Sequence, residues 1–224
     1  FQLANHYNRY RVDTFMLVES FKLASYITAQ AVRRFTHDKK LLEQGRRLLN
    51  RLGVRKVYVE NYRSGLLVDK DELVDIREIL QDGFEVSGGT CIGTWGRGWG
   101  RRAGLSSKVI CLNDERNLAM LTEVMAHAAS VFNEVLIDDF WANWCYCDVC
   151  VERFNREYGL SLTPEELRRA VERSDPVIMA YWAEYSSRIL EDVSRRFIVE
   201  PARRANADIK VVLKVAEWRE SFYH

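Results

Sequence analysis

The alternation of short apolar runs with longer helical stretches is the strongest constraint on the fold. Five runs have the length and apolar content of strands, at residues 12–18, 54–62, 84–89, 134–137 and 209–215. The stretches between them have apolar residues at helical spacing, at residues 38–52, 71–81, 117–132, 151–158 and 176–205. A further helix start is indicated by Thr163, Pro164 and Glu166, the cap, first and third positions of a capping box. Strands that alternate with helices predict an α/β fold with a parallel sheet and right-handed crossovers.

Two closures of such a sheet are open, a doubly wound sheet and a (β/α)8 TIM-type barrel. Acidic residues recur where the predicted strands end: Glu19, Glu60, Asp138 with Asp139, and Glu217. Active sites of barrels are built at this edge, so the pattern favours the barrel. The 224 residues hold only five βα units. We therefore expect residues 1–224 to form one partial barrel domain, completed by sequence beyond His224 or by another chain; an open five-stranded sheet is the alternative.

Composition excludes some functional classes. The chain is 47% hydrophobic and 29% charged, as in ordinary globular domains, and its formal net charge is +1. Such a small net charge provides no global field for holding nucleic acid or an anionic membrane. No apolar run approaches the roughly 20 residues that span a bilayer. The compartment, cytoplasmic or secreted, is left open.

Three cysteines form a Cys-x-Cys-x-x-Cys cluster at Cys145, Cys147 and Cys150. Three thiols within six residues suit a shared metal better than a set of mutual disulfides. Zinc in closed sites takes four ligands, and Cys111 is the best fourth candidate, with Cys91 in reserve. Free or partly oxidised cysteines are the alternative. A four-thiolate Zn²⁺ leaves no position for water, so its role would be structural.

The adjacent Asp138 and Asp139 are the candidate catalytic residues. Neighbours on a strand point to opposite faces, so one of the two faces the barrel axis or cleft. Glycoside hydrolysis needs two carboxylates that flank the scissile bond, and either aspartate suits one of these roles. Partner carboxylates, or acceptors for sugar hydroxyls, are expected at Glu19, Glu60 and Glu217. The structural alternative is that these acids cap helices or pair with arginines such as Arg63.

Tryptophans are concentrated at the predicted strand ends and their loops. They are Trp95, Trp99, Trp141, Trp144 and Trp218. Flat aromatic faces stack on sugar rings, and we expect Trp95, Trp141 and Trp218 to line a carbohydrate subsite. The alternative is that they fill the mouth of the barrel, with their polar edges turned to water.

The stretch "LIDDFWANWCYCDVC", residues 136–150, resembles a motif in a group of large bacterial proteins classed as glycoside hydrolases with a TIM barrel. A more distant similarity is to the family 42 β-galactosidases, whose zinc is held by one upstream cysteine and a Cys-x-Cys-x-x-Cys cluster. Cys111 and the three clustered cysteines match that arrangement. The family 42 enzymes have Asn-Glu where this chain has Asp138-Asp139, and their nucleophile follows a seventh strand.

The resemblance implies a glycoside hydrolase that cleaves O-glycosyl bonds of a carbohydrate substrate, with a structural zinc. Two other functions are compatible with the same residues. One is a non-catalytic carbohydrate-binding barrel, and the other is a zinc-stabilised interaction scaffold.

Overall fold

The computed structural model describes residues 22–92, 110–138, 143 and 145–214. Its centre is a five-stranded sheet, with a separate two-stranded hairpin. In chain order the strands are β1 (Ala24–Ile27), β2 (Lys56–Glu60), β3 (Tyr62–Arg63), β4 (Leu66–Leu67), β5 (Glu85–Cys91), β6 (Glu134–Asp138) and β7 (Lys210–Leu213). The hairpin pairs β3 with β4 through Ser64 and Gly65, both at positive φ.

Helices connect the strands of the large sheet. They are α1 (Ala29–His37), α2 (Lys39–Arg51), α3 (Lys70–Gln81), α4 (Glu115–Ala129), α5 (Asp148–Tyr158), α6 (Pro164–Glu172), α7 (Pro176–Val193) and α8 (Glu200–Ala205). A π-helical segment, Ser194–Val199, joins α7 to α8. Within the described part of the chain, none of these helices is both long and apolar enough to cross a membrane.

The order of the strands follows their order in the chain, β1-β2-β5-β6-β7, and all neighbouring pairs are parallel. The prediction of an α/β fold with a parallel sheet is therefore confirmed. The strands predicted at 54–62, 84–89, 134–137 and 209–215 are β2, β5, β6 and β7. The strand predicted at 12–18 lies outside the described residues. A doubly wound sheet reverses its strand order at a switch point, and the five described strands show no such reversal.

One face of the sheet packs against the main hydrophobic core. Val59, Gly88 and Val135 are register partners on this face, and a Cβ on Gly88 would lie 2.6 Å from the ring of Phe132, just after α4. Val59 and Val135 are fully buried. The core continues into the helices through buried apolar side chains, among them Ile76, Leu80, Leu121, Val124 and Ile198.

The opposite face carries polar and aromatic side chains. Lys56 lies on this face, where it is 8% exposed and forms ion pairs with Glu134 and Glu85. Ser87 donates a hydrogen bond of 3.0 Å to Glu134. Lys210 approaches the same carboxylate at 3.5 Å. A charged layer therefore crosses four adjacent strands near their N-terminal ends.

A second, aromatic core lies among α5, α6 and α7. Phe154 packs edge-on against Trp182 and Tyr185, with ring centroids 5.5 and 5.4 Å away, and Tyr146 stacks on Trp182 at 5.0 Å. The predicted helix start at Thr163 is present as a capping box, in which Thr163 and Glu166 exchange hydrogen bonds. This aromatic core is a second cluster beside the main core, and Ile189 packs against both.

Candidate active site and metal centre

Glu60, the last residue of β2, has a fully buried side chain whose carboxylate has several donors. Tyr26 Oη donates at 2.9 Å, the Ala29 amide at 2.6 Å and Arg63 Nε at 2.8 Å. The Ala29 amide is in the first turn of α1, where backbone N–H groups have no intrahelical partner and favour a negative charge. Glu60 thus caps α1 and pairs with Arg63. A role for Glu60 in substrate binding stays a prediction.

Asp138 ends β6 and is the register partner of Cys91, which lies on the same face of the sheet as Gly89. Lys214, just after β7, donates a hydrogen bond of 2.7 Å to Asp138 Oδ1. Arg63 Nη2 lies 4.0 Å from Asp138 Oδ2. The Asp138 side chain is 13% exposed. Of the two adjacent aspartates, Asp138 therefore lies on the polar face, while Asp139 lies outside the described residues.

Tyr26, Glu60, Arg63, Asp138 and Lys214 form a connected group, here called the strand-end cluster. Burial, followed by the charge and hydrogen bond of Glu60, raises the pKa of Tyr26, so its hydroxyl remains a donor. Burial alone would lower the pKa of Arg63, but its hydrogen bonds to Glu60, together with the charge of Glu60 and of nearby groups, outweigh burial and raise it. Two carboxylates and two cations thus meet at the C-terminal edge of the sheet.

The other predicted site residues fall outside the described part of the chain. They are Asp139, Glu19, Trp95, Trp141, Glu217 and Trp218. Their roles stay predictions. Sequence reasoning did not single out Tyr26 or Lys214, although Lys214 follows directly on a strand end and so carries the positional signal used for the acids.

The structure brings Cys111, Cys145, Cys147 and Cys150 together. All four sulfur atoms lie within 4.8 Å of one another, with Cys111 Sγ 3.7 Å from Cys147 Sγ and 3.4 Å from Cys150 Sγ. Zinc–sulfur bonds of about 2.3 Å in a tetrahedron imply sulfur–sulfur distances of about 3.8 Å. The donor set therefore fits a metal ion. Cys91 is in β5 and is not a member of this group.

Three parts of the chain supply these thiols. Cys111 precedes α4, where Asn117 Nδ2 donates a hydrogen bond of 3.0 Å to its carbonyl oxygen. Cys145 lies after β6, Cys147 is the N-cap residue of α5 and Cys150 is in the first turn of that helix. The positive end of the α5 dipole stabilises thiolates at these last two positions. A metal here would join α4, the chain after β6 and α5.

The four thiols cannot all ionise easily without a cation. Hydrogen bonds from Cys111, Cys145 and Cys150 lower the pKa of Cys147. Hydrogen bonds with Cys111, Cys145 and Cys147 raise the pKa of Cys150, with Cys111 as the largest influence. A divalent ion reverses this competition, because its charge favours the thiolate form at every ligand.

Residues 13–224 match the protein family described as "Probable glycosyl hydrolase, catalytic domain". The match covers most of the chain, and the chain belongs to this family. The expected membership of a glycoside hydrolase group is thereby confirmed at the level of the family.

One relative is the uncharacterized protein SSO3021 of Saccharolobus solfataricus, which is 44% identical over 209 residues. The alignment covers 92% of this chain and 34% of the relative, so the chain spans about a third of that protein's length. This relative is archaeal and does not support the bacterial origin that the resemblance implied. Similarity to the family 42 β-galactosidases stays a prediction.

Proposed function

We propose that this chain is the N-terminal part of a (β/α)8-barrel glycoside hydrolase that cleaves O-glycosyl bonds of a carbohydrate. The observation that carries the proposal is the position of Asp138. It lies at the C-terminal end of β6, on the face opposite the main core, within a chain whose family is described as a glycosyl hydrolase catalytic domain. This is the edge at which barrel enzymes assemble their catalytic residues.

The sheet topology supports the barrel. The strands are added in chain order on one side of the sheet. Crossovers between parallel strands are right-handed in nearly all proteins, and repeated units of this kind, each adding the same strand twist, are the pattern from which barrels are built. The polar face, with its layer of Lys56, Ser87 and Glu134, suits the interior of such a barrel. The remaining strands come from the rest of a longer protein or from another chain.

Hydrolysis requires a proton donor and a second carboxylate on the other side of the scissile bond. Lys214 and Arg63 both face Asp138, which suits an acceptor of sugar-hydroxyl hydrogen bonds better than a proton donor. Asp138 and Asp139 both stay candidates for the general acid, and the variants described below separate them. The second carboxylate is supplied by a later strand, as the resemblance implies.

The subsite for the sugar is proposed at the same edge. Its expected lining is Glu19, Glu60, Trp95, Trp141, Glu217 and Trp218. Within the described residues, Glu60 stabilises this edge of the sheet by accepting hydrogen bonds from Tyr26 and Arg63.

The four cysteines are proposed to hold one structural Zn²⁺. Four thiolates complete a tetrahedron and leave no open position, so the ion stabilises folding and takes no part in bond cleavage. Its ligands precede and follow β6 in the chain: Cys111 lies before this strand, and Cys145, Cys147 and Cys150 lie after it. The ion would therefore restrain the segment that follows Asp138.

Separate Asp138→Asn and Asp139→Asn variants of the full-length protein test the catalytic proposal. Loss of a general acid or base lowers turnover by about 10²- to 10⁴-fold, measured as cleavage of aryl glycosides. Asp71→Asn, at an exposed position of α3, is the matched control and should cleave normally. Unchanged turnover in both test variants would remove the pair as catalysts.

A non-catalytic carbohydrate-binding barrel is the second candidate. It is favoured by the ion pairs that already engage Glu60 and Asp138. Sugar binding by the wild-type protein without turnover on any aryl glycoside would support it. Neither binding nor turnover would leave a zinc-stabilised interaction scaffold as the better interpretation.

A further inference from the structure

The geometry points to Asn113 as a residue that stabilises metal binding without being a ligand itself, and to Arg153 as the residue that orients the Asn113 amide. The inference rests on the proposed zinc. The Asn113 amide donates a hydrogen bond to the sulfur of Cys150, and we infer that this bond slows loss of the ion.

Cys150 is held on two sides. Asn113 Nδ2 lies 3.2 Å from Cys150 Sγ and 3.2 Å from Tyr185 Oη. Tyr185 Oη in turn donates a hydrogen bond of 3.2 Å to the carbonyl oxygen of Cys150. The three residues belong to the loop before α4, to α5 and to α7, so the contacts join three elements at one ligand.

Arg153 determines which way the amide of Asn113 faces. Its Nη1 donates a hydrogen bond to Asn113 Oδ1. A guanidinium has donors only, so the oxygen of the amide must face Arg153 and the NH₂ group must face the sulfur. Arg153 is exposed and one turn along α5 from Cys150, whereas Asn113 is partly buried.

A hydrogen bond to this sulfur has a clear electrostatic purpose. Four thiolates and one Zn²⁺ together carry a net charge of −2. Three of the four cysteines are buried, so water compensates little of this charge. An N–H donor withdraws charge from the sulfur and fixes the ligand's orientation. Removal of such supporting contacts lowers metal affinity by about 10- to 100-fold in known sites.

The experiment measures transfer of zinc from the protein to a colorimetric chelator. Asn113→Ala should release zinc on the order of 10-fold faster than wild type. Asn113→Asp should release zinc at least as fast as Asn113→Ala, because the new carboxylate and the Cys150 thiolate repel each other. In Co²⁺-substituted protein, both variants should shift the sulfur-to-metal charge-transfer band to lower energy, a change that a general loss of stability would not produce.

Arg153→Ala is the second test and changes only an exposed side chain. It should also accelerate release, and it should add nothing in an Asn113→Ala background. Arg156→Ala, which removes the exposed partner of Glu152 on the same helix, is the matched control and should release zinc at the wild-type rate.

The outcomes separate the two levels of the proposal. Wild-type protein that binds no zinc would overturn the proposed metal. Wild-type protein with one bound zinc and unchanged release from both Asn113→Ala and Arg153→Ala would overturn this inference alone.

Discussion

The ring of Tyr26 occupies the space beside Gly89, reaching from β1 across β2 to β5. A Cβ on Gly89 would lie 2.7 Å from Tyr26 Cε2 and 2.8 Å from its hydroxyl oxygen, closer than side chains tolerate. The same hydroxyl donates to Glu60. The absence of a side chain at Gly89 thus allows the phenol to reach the buried carboxylate.

Gly89→Ala should displace Tyr26 and lower the free energy of unfolding by about 1–3 kcal/mol, since overpacking is added to a weakened hydrogen bond. Urea unfolding of the full-length protein measures the change. In a Tyr26→Ala background the methyl group meets no ring, and the cost of Gly89→Ala should largely vanish. An equal cost in both backgrounds would show that the ring is not the obstacle.

Arg63 and Lys214 each pair with an acid of the strand-end cluster, but they should differ in their effect on stability. Arg63→Met leaves the fully buried Glu60 without its cation and should cost about 3 kcal/mol. Lys214 is 57% exposed, so Lys214→Met should cost less than about 1 kcal/mol. Thermal unfolding of the two variants compares them directly. The reverse order would contradict the described burial of Glu60.

The ion pairs of Glu85 lead us to expect that the free energy of unfolding depends on pH. Hydrogen bonds from Lys22 and then Lys56 lower the pKa of Glu85 from 4.5 to about 2. Because the folded pKa is depressed, this stabilisation is present above the unfolded pKa and is lost as pH falls toward 2. The stability difference between wild type and Glu85→Gln, measured by urea unfolding, should shrink between pH 4.5 and 2. A difference that stays constant over this range would refute the assignment.

Metal analysis should find one zinc in each chain. Cys150→Ser removes a ligand and should lower the zinc content and the melting temperature, because metal binding contributes to folding. Loss of the metal should also change the near-ultraviolet circular dichroism of the aromatic core, because Phe154 of that core and the ligand Cys150 lie on the same helix, α5. Cys91→Ser is the matched control. Cys91 is also buried but is not one of the four clustered cysteines, so the zinc content of this variant should equal that of wild type.

Sequence periodicity identified those elements whose apolar pattern is long or clearly capped. The helix predicted at 38–52 is α2, Lys39–Arg51, and the one predicted at 71–81 is α3, Lys70–Gln81. These helical signals are local, which is why one sequence suffices to show them. Cys111 was grouped with the three clustered cysteines because it precedes a helix and lies close to the edge of the predicted sheet, and the structure brings the four together.

Other elements were missed because their signals are weak or depend on tertiary contacts. β1 has four residues of which only Ile27 is buried, and Thr28 caps α1 directly after it, so strand and helix merge in the sequence. The hairpin of β3 and β4 is marked only by Ser64-Gly65, a turn signal that was passed over. For Glu60, helix capping and pairing with Arg63 are the structural alternative stated from the sequence. Its contact with Tyr26 comes from another strand, and no spacing rule specifies it.

Where a single helix was expected at 176–205, the π-helical segment Ser194–Val199 interrupts it, and the whole stretch contributes to two cores: Trp182 and Tyr185 to the aromatic core, Val193 and Ile198 to the main core. Buried positions along it advance by helical steps from Trp182 through Tyr185 to Val193, and then by five residues to Ile198, the step that i→i+5 bonding provides. The wide turn of the π-helical segment therefore keeps Val193 and Ile198 on one face, toward the main core, although five residues separate them. A one-residue deletion between them would leave the four-residue step of an α-helix, which also holds both side chains on that face, whereas a further insertion would exceed what the wide turn accommodates.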